Sequence, residues 1–143
     1  MLKLPAHPAK KLALLALALF YIAAGVNHFV HQDFYVRIMP PYLPAHLALV
    51  YLSGVFEALG GIGVLIPRVR SLAGWGIVLL LIAVFPANLY MAMHPELFPD
   101  ISTASLYLRL PIQIPLIAWA YWATRPDTTV SNRTSTATEV PPL

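Results

Sequence analysis

An all-α integral membrane fold, a four-helix bundle with both termini in the cytoplasm, is predicted by three features of this sequence. Only 10% of the 143 residues are charged and 59% are hydrophobic, whereas a soluble domain carries about 25% charged residues to face water. The apolar residues fall in long unbroken runs. The Lys and Arg residues gather in alternate connections between those runs. A barrel would instead need many short strands of alternating polarity, and an open sheet would leave backbone groups unpaired in hydrocarbon.

A helix needs ~20 mostly apolar residues to cross the hydrocarbon core. Four segments meet that need, at about 12–30, 47–66, 72–93 and 106–123. They make one transmembrane domain over 12–123, preceded by a cytoplasmic segment (1–11) and followed by a tail (124–143). The first run follows Lys10 and Lys11 and ends near Ala23, Ala24 and Gly25, as a cleaved leader can. Its apolar character continues past those residues, so it reads as a span.

Lys3, Lys10 and Lys11 precede the first span, and Arg68 and Arg70 sit in the turn after the second. Arg125 and Arg133 follow the fourth. The connection between the third and fourth spans holds Glu96 and Asp100 and no base. The connection after the first span holds one base, Arg37, against Asp33. Bases thus concentrate at the amino end, the 67–70 turn and the tail, which puts both termini in the cytoplasm. In the first external loop, Phe34 with Ile38 and Tyr35 with Met39 are i,i+4 pairs suited to a short helix lying flat at the headgroups, stopped by Pro40 and Pro41. The tail is rich in Thr, Ser and Pro and is expected to be disordered. Its Asn132-Arg133-Thr134 has the form of a glycosylation sequon, which a cytoplasmic tail does not use.

The sequence has no cysteine. That excludes disulfides, thiolate catalysis and cysteine-ligated clusters, so redox chemistry here requires a bound cofactor, a quinone or a partner protein. The bases are dispersed over helix ends, which argues against nucleic acid. His28, His31, His46 and His94 show no metal-binding spacing, and no metal site is expected. No nucleophile triad, phosphate loop or haem-attachment motif is present. Gly60-Gly61-Ile62-Gly63 follows an apolar helix rather than a strand, and reads as close helix packing.

Polar side chains within spans are costly and therefore informative. Glu57 lies near mid-membrane, on a helix face with Ser53 and Gly61. It serves either as structural glue between helices or as a group that handles a proton or a ligand. Arg109 lies about one turn into the fourth span, with Gln113 on the same face. Its long stem reaches inward to Glu57 or outward to the headgroups. The inward pair is favoured, because a lone carboxylate at that depth would have to be neutral. Asn27 and His28 close the first helix, and Asn88 lies near the outer end of the third. Pro86, Pro111 and Pro115 free the carbonyls of Ile82, Tyr107 and Pro111, which need another partner. The outer half of the bundle is thus expected to hold a polar cavity. Its ligand-binding candidates are His28, Glu57, Asn88, Arg109, Gln113 and Asn27, while no catalytic residue stands out.

Four stretches carry a family resemblance: Ala24-Gly25-Val26-Asn27-His28-Phe29, Met39-Pro40-Pro41-Tyr42-Leu43-Pro44, Ser53-Gly54-Val55-Phe56-Glu57 and Val84-Phe85-Pro86-Ala87-Asn88. In this order the chain resembles the DoxX (MauE/DoxX redox-associated) family of bacterial and archaeal membrane proteins. The resemblance implies four membrane helices, residence in the prokaryotic inner membrane and a redox association. The expected function is a redox-associated subunit that binds a quinone-like or other apolar molecule, with no covalent cofactor. If enzymatic, it would be an oxidoreductase subunit needing a partner protein or quinone. Membrane lipid, a redox partner protein and further copies of the chain are the expected partners. The alternative is a non-catalytic membrane scaffold whose polar residues specify packing; transport of a small solute is less attractive without a visible repeat.

Overall fold

The computed structural model describes residues 4–126. The expectations for the tail beyond residue 126 lie outside the described residues. Within them the chain is helical, with no strand. The helices are α1 (Pro8–Val30), α2 (Gln32–Arg37), α3 (His46–Gly63), α4 (Arg70–Met93) and α5 (Thr103–Thr124), with a 3-10 turn at Pro95–Leu97 before α5. Three helices, α1, α3 and α4, are long and apolar enough to cross a membrane. At 22 residues α5 has the length, but Arg109, Gln113 and two prolines make it less apolar.

The boundaries shift where local chemistry decides them. Pro8 opens α1 at its first position, where a missing N–H costs nothing. Lys10 and Lys11 are therefore inside the helix rather than before it. Lys10 turns inward, only 8% exposed, and its Nζ donates to the Arg125 carbonyl at 2.7 Å. A cation there satisfies an orphan carbonyl at the negative end of α5. Helix α3 stops at Gly63, short of Ile66, and Arg70 Nε ties the following turn by donating to the Val64 carbonyl at 2.8 Å. Ser102 caps α5, its hydroxyl accepting from Ser105 N–H at 3.3 Å.

The long helices pack in a ring: α1 on α3, α3 on α4, α4 on α5, and α5 back on α1. Lipid is as apolar as leucine, so helices in a membrane associate through close van der Waals fit, and small residues allow it. The α1–α3 contact is the most extensive, and glycine explains why. A Cβ on Gly25 would come within 2.5 Å of the Gly54 carbonyl oxygen, and one on Gly61 within 2.7 Å of the Ala18 carbonyl oxygen. The two backbones touch along this seam.

Two apolar clusters hold the ring. Leu14, Leu17, Ala18, Val64, Ile77, Leu81 and Ala120 fill the half where α1 begins and α5 ends. Ile38, Ala87, Met91, Phe98 and Leu106 form a smaller cluster at the other end. Ile38 belongs to the loop expected to form a short helix at the headgroups; α2 forms there, and Ile38 is buried against protein. Phe34 and Tyr35 also pack on this cluster, so three of the four residues in the i,i+4 pairs are spent on it. Tyr51 Oη donates to Gln32 Oε1, and His46 Nε2 lies 3.1 Å from the Pro40 carbonyl. These bonds draw α2 inward as a roof over the helices. By contrast, the outer faces are apolar all round: Leu12, Leu19, Leu72 and Ile114 are each at least 70% exposed. Water-soluble monomers rarely present apolar surface on this scale; it belongs to a protein that faces lipid.

Candidate functional site

Beneath the α2 roof lies a cavity of about 250 Å³. Helix α1 contributes Tyr21, Ala24 and His28 to its wall, and α3 contributes Val50, Ser53 and Glu57. Leu81, Val84 and Asn88 come from α4, Arg109 and Leu116 from α5, and Tyr35, Ile38 and Met39 close the top. The polar groups are few and converge on a mostly apolar space, which is the usual make-up of a small-molecule site.

His28 and Glu57 meet across the α1–α3 seam. His28 Nδ1 stands 3.2 Å from Glu57 Oε2, with the two side chains 8% and 12% exposed. The same Nδ1 lies 3.0 Å from the Ala24 carbonyl. A ring nitrogen carries at most one hydrogen, and here it lies along the direction of the carbonyl. Glu57 Oε2 is therefore at ion-pair distance but off that axis, and it receives no hydrogen bond. The expected Glu57–Arg109 pair is not formed; histidine is the glutamate's partner. The ring order gives the reason. Helix α5 sits diagonally across from α3, whereas the glycine seam brings α1 against α3 and sets His28 beside Glu57. Arg109 stays on the cavity wall, half-buried, with no carboxylate within 4 Å among the described residues.

His28 is fixed from its other face by Tyr35, whose ring stacks on it at 3.7 Å between centroids and 23° between planes. Tyr35 Oη in turn accepts from Asn27 Nδ2 at 2.9 Å, and Asn27 Oδ1 lies 2.7 Å from His31 Nδ1. Asn27 thus holds the roof in place and does not line the cavity. Asn88 does line it. Gln113 is absent from its wall: it is buried between α5 and α4, where its Nε2 donates to the Leu81 carbonyl. This bond lies one residue from Ile82, whose carbonyl Pro86 leaves free, so Gln113 stitches the two proline-bearing helices together.

Two residues of the site escaped the sequence reading. Tyr21 is 3% exposed, lines the cavity, and its hydroxyl has no hydrogen-bond partner among the described residues. It stands seven residues before His28, on the same helical face, so periodicity held the signal. Tyr35 carried none, since its place depends on α2 folding back. The cavity therefore has two buried oxygens, Tyr21 Oη and Glu57 Oε2, that receive no hydrogen bond among the described residues, although Glu57 Oε2 keeps His28 as its ion-pair partner. Most buried polar groups are paired, and each exception calls for a cause. Among the described residues no group of three or more His, Asp or Glu gathers to hold a metal ion.

The chain belongs to the family described as a domain of unknown function, DUF8561, whose pattern matches residues 17–124. The match takes in α2, α3, α4 and α5 whole, most of α1, and every wall of the cavity. No curated protein and no solved structure matches the chain.

Proposed function

We propose that this member of the DUF8561 family is a four-span protein of a prokaryotic inner membrane that holds a quinone-like molecule under the α2 roof and serves a redox partner protein. The observation that carries the reading is a pair of buried oxygens without a hydrogen bond, Tyr21 Oη and Glu57 Oε2, on the wall of a mostly apolar cavity. An apolar cavity of about 150 Å³ takes benzene, so about 250 Å³ has room for one substituted ring. Glu57 would take or hold a proton or hydrogen bond of the head, and His28 and Asn88 would orient it. Arg109 adds positive charge to the wall.

The lipid-facing residues Leu108, Ile112 and Ile114 on α5 support a fourth span. Lys10, Arg70 and Arg125 gather where α1 begins and α5 ends, while Glu96 and Asp100 lie at the opposite end, which supports cytoplasmic termini. The redox association draws on the DoxX resemblance, and on a chain without cysteine needing an external carrier of electrons. Mass spectrometry of small molecules retained after gentle extraction tests the reading. A quinone or other apolar ligand present in the wild type and lost in Glu57→Gln is the expected result. Empty preparations of both proteins would sink it.

One observation favours a second reading. His28 also packs at the glycine seam, where a Cβ on Gly54 would meet its own Cβ at 2.7 Å. The His28–Glu57 pair would then be glue between helices in a scaffold that carries no ligand. In that case Glu57→Gln lowers the melting temperature or partner association, while redox flux in the membrane stays unchanged.

A further inference from the structure

The shape and hydrogen-bonding of the cavity specify more than a ring. Tyr21 Oη can donate or accept, whereas Glu57, paired with His28, accepts. A hydroxyl on the ligand can answer either oxygen, donating to Glu57 or accepting from Tyr21. A quinone carbonyl only accepts, so it answers Tyr21 and leaves Glu57 Oε2 with only the off-axis His28 Nδ1 at 3.2 Å. Leaving a buried group unmet costs the desolvation of that group.

A second space adjoins the first. A groove of about 380 Å³ runs between α3 and α4 and shares Met39, Ser53, Val84 and Ala87 with the cavity. Its remaining walls are apolar, among them Leu52, Phe56, Leu80 and Ala83. Leu52 and Phe56 are more than half exposed and lie in the middle of α3, so the groove opens sideways onto the apolar flank and not at either end. The cavity holds little beyond one ring, and the groove is an apolar space that adjoins it across Met39, Ser53, Val84 and Ala87.

We infer that the molecule held here is a hydroxyl-headed aromatic membrane lipid, such as a hydroquinone, with its head between Tyr21 and Glu57 and its single tail leaving through the α3–α4 groove into the bilayer. The inference rests on the reading above that the cavity binds a ring-headed ligand, and it adds the hydrogen-bonding state of the head and the route of the tail.

The test measures binding to the full-length protein in lipid nanodiscs with three probes: a decyl-chain benzoquinol, the matching decyl benzoquinone, and the same benzoquinol without a tail. The decyl quinol is expected to bind about tenfold tighter than the decyl quinone, as one hydrogen bond to a charged group implies. Ala83→Phe, which fills the groove from α4, is expected to weaken the decyl quinol about tenfold and to leave the tail-less quinol unchanged. Leu52→Trp does the same from α3 and guards against a folding defect peculiar to one variant. A quinone that binds as tightly as the quinol overturns the assignment of the head. Decyl binding unaffected by both substitutions overturns the route of the tail, and so does equal loss of both quinols in both variants. If no probe binds the wild type, the ring-headed reading itself has failed.

Discussion

The two halves of the molecule are built on different terms. Where α1 begins and α5 ends, Leu14, Leu17, Ile77 and Ala120 are at most 1% exposed and fill the space between the helices. Toward α2, the same helices enclose a cavity of about 250 Å³ edged by His28, Glu57, Asn88 and Arg109. The packed half and the glycine seam hold the helices together. The roofed half is thereby relieved of that task, and can keep an open volume whose wall carries oxygens without a hydrogen bond. In lipid, where apolar burial alone gives helices no reason to associate, such a division of labour is how a small bundle keeps a hollow.

The largest effect should come from breaking the seam that both halves share. Gly25→Leu forces side-chain atoms into the Gly54 carbonyl and the Ala58 amide, 2.5 and 2.6 Å from its Cβ. These are backbone atoms and cannot swing aside. A loss of about 3 kcal/mol or more is expected, the upper range for overpacking, read as unfolding in a denaturing-detergent titration. Next, Leu17→Ala should cost about 2–3 kcal/mol in the same assay, because the dense half collapses poorly around a void. Leu79→Ala, on the lipid-facing side of α4 at 63% exposure, should cost well under about 1 kcal/mol by comparison. If the two leucines cost the same, the contrast between packed interior and lipid-facing surface is lost.

Smaller effects sharpen the comparison at each end. Lys10→Met keeps the stem but removes the donor to the Arg125 carbonyl, and should cost about 1.5 kcal/mol, as charged hydrogen bonds do. Tyr35→Phe should cost about 1 kcal/mol through the bond from Asn27, while the ring keeps its stack on His28. Ligand retention should survive it. Tyr35→Ala removes the ring stacked on His28 as well as the bond from Asn27, and should abolish retention at a larger cost, about 2 kcal/mol or more. Retention of ligand by that variant would show that α2 is a bystander.

The sequence by itself determined the helices and their apolar outer faces. Runs of apolar residues and the scarcity of charge are local properties, and a helix satisfies its own backbone wherever it lies. Periodicity alone placed Ser53, Glu57 and Gly61 on one face, and it would have added Tyr21 to His28. The tertiary structure decided the rest, because each outcome depends on which helices are neighbours. The glycine seam put α1 beside α3, so Glu57 met His28 while Arg109, on the far side of the cavity, did not reach it. Gln113 turned to the Leu81 carbonyl for the same reason, α5 lying against α4. The loop carrying Tyr35 had apolar pairs fit for lipid or for protein. Only the presence of Met91, Phe98 and Leu106 in three dimensions decided that it folds inward, where close-packed partners give those side chains contacts that a fluid headgroup layer does not.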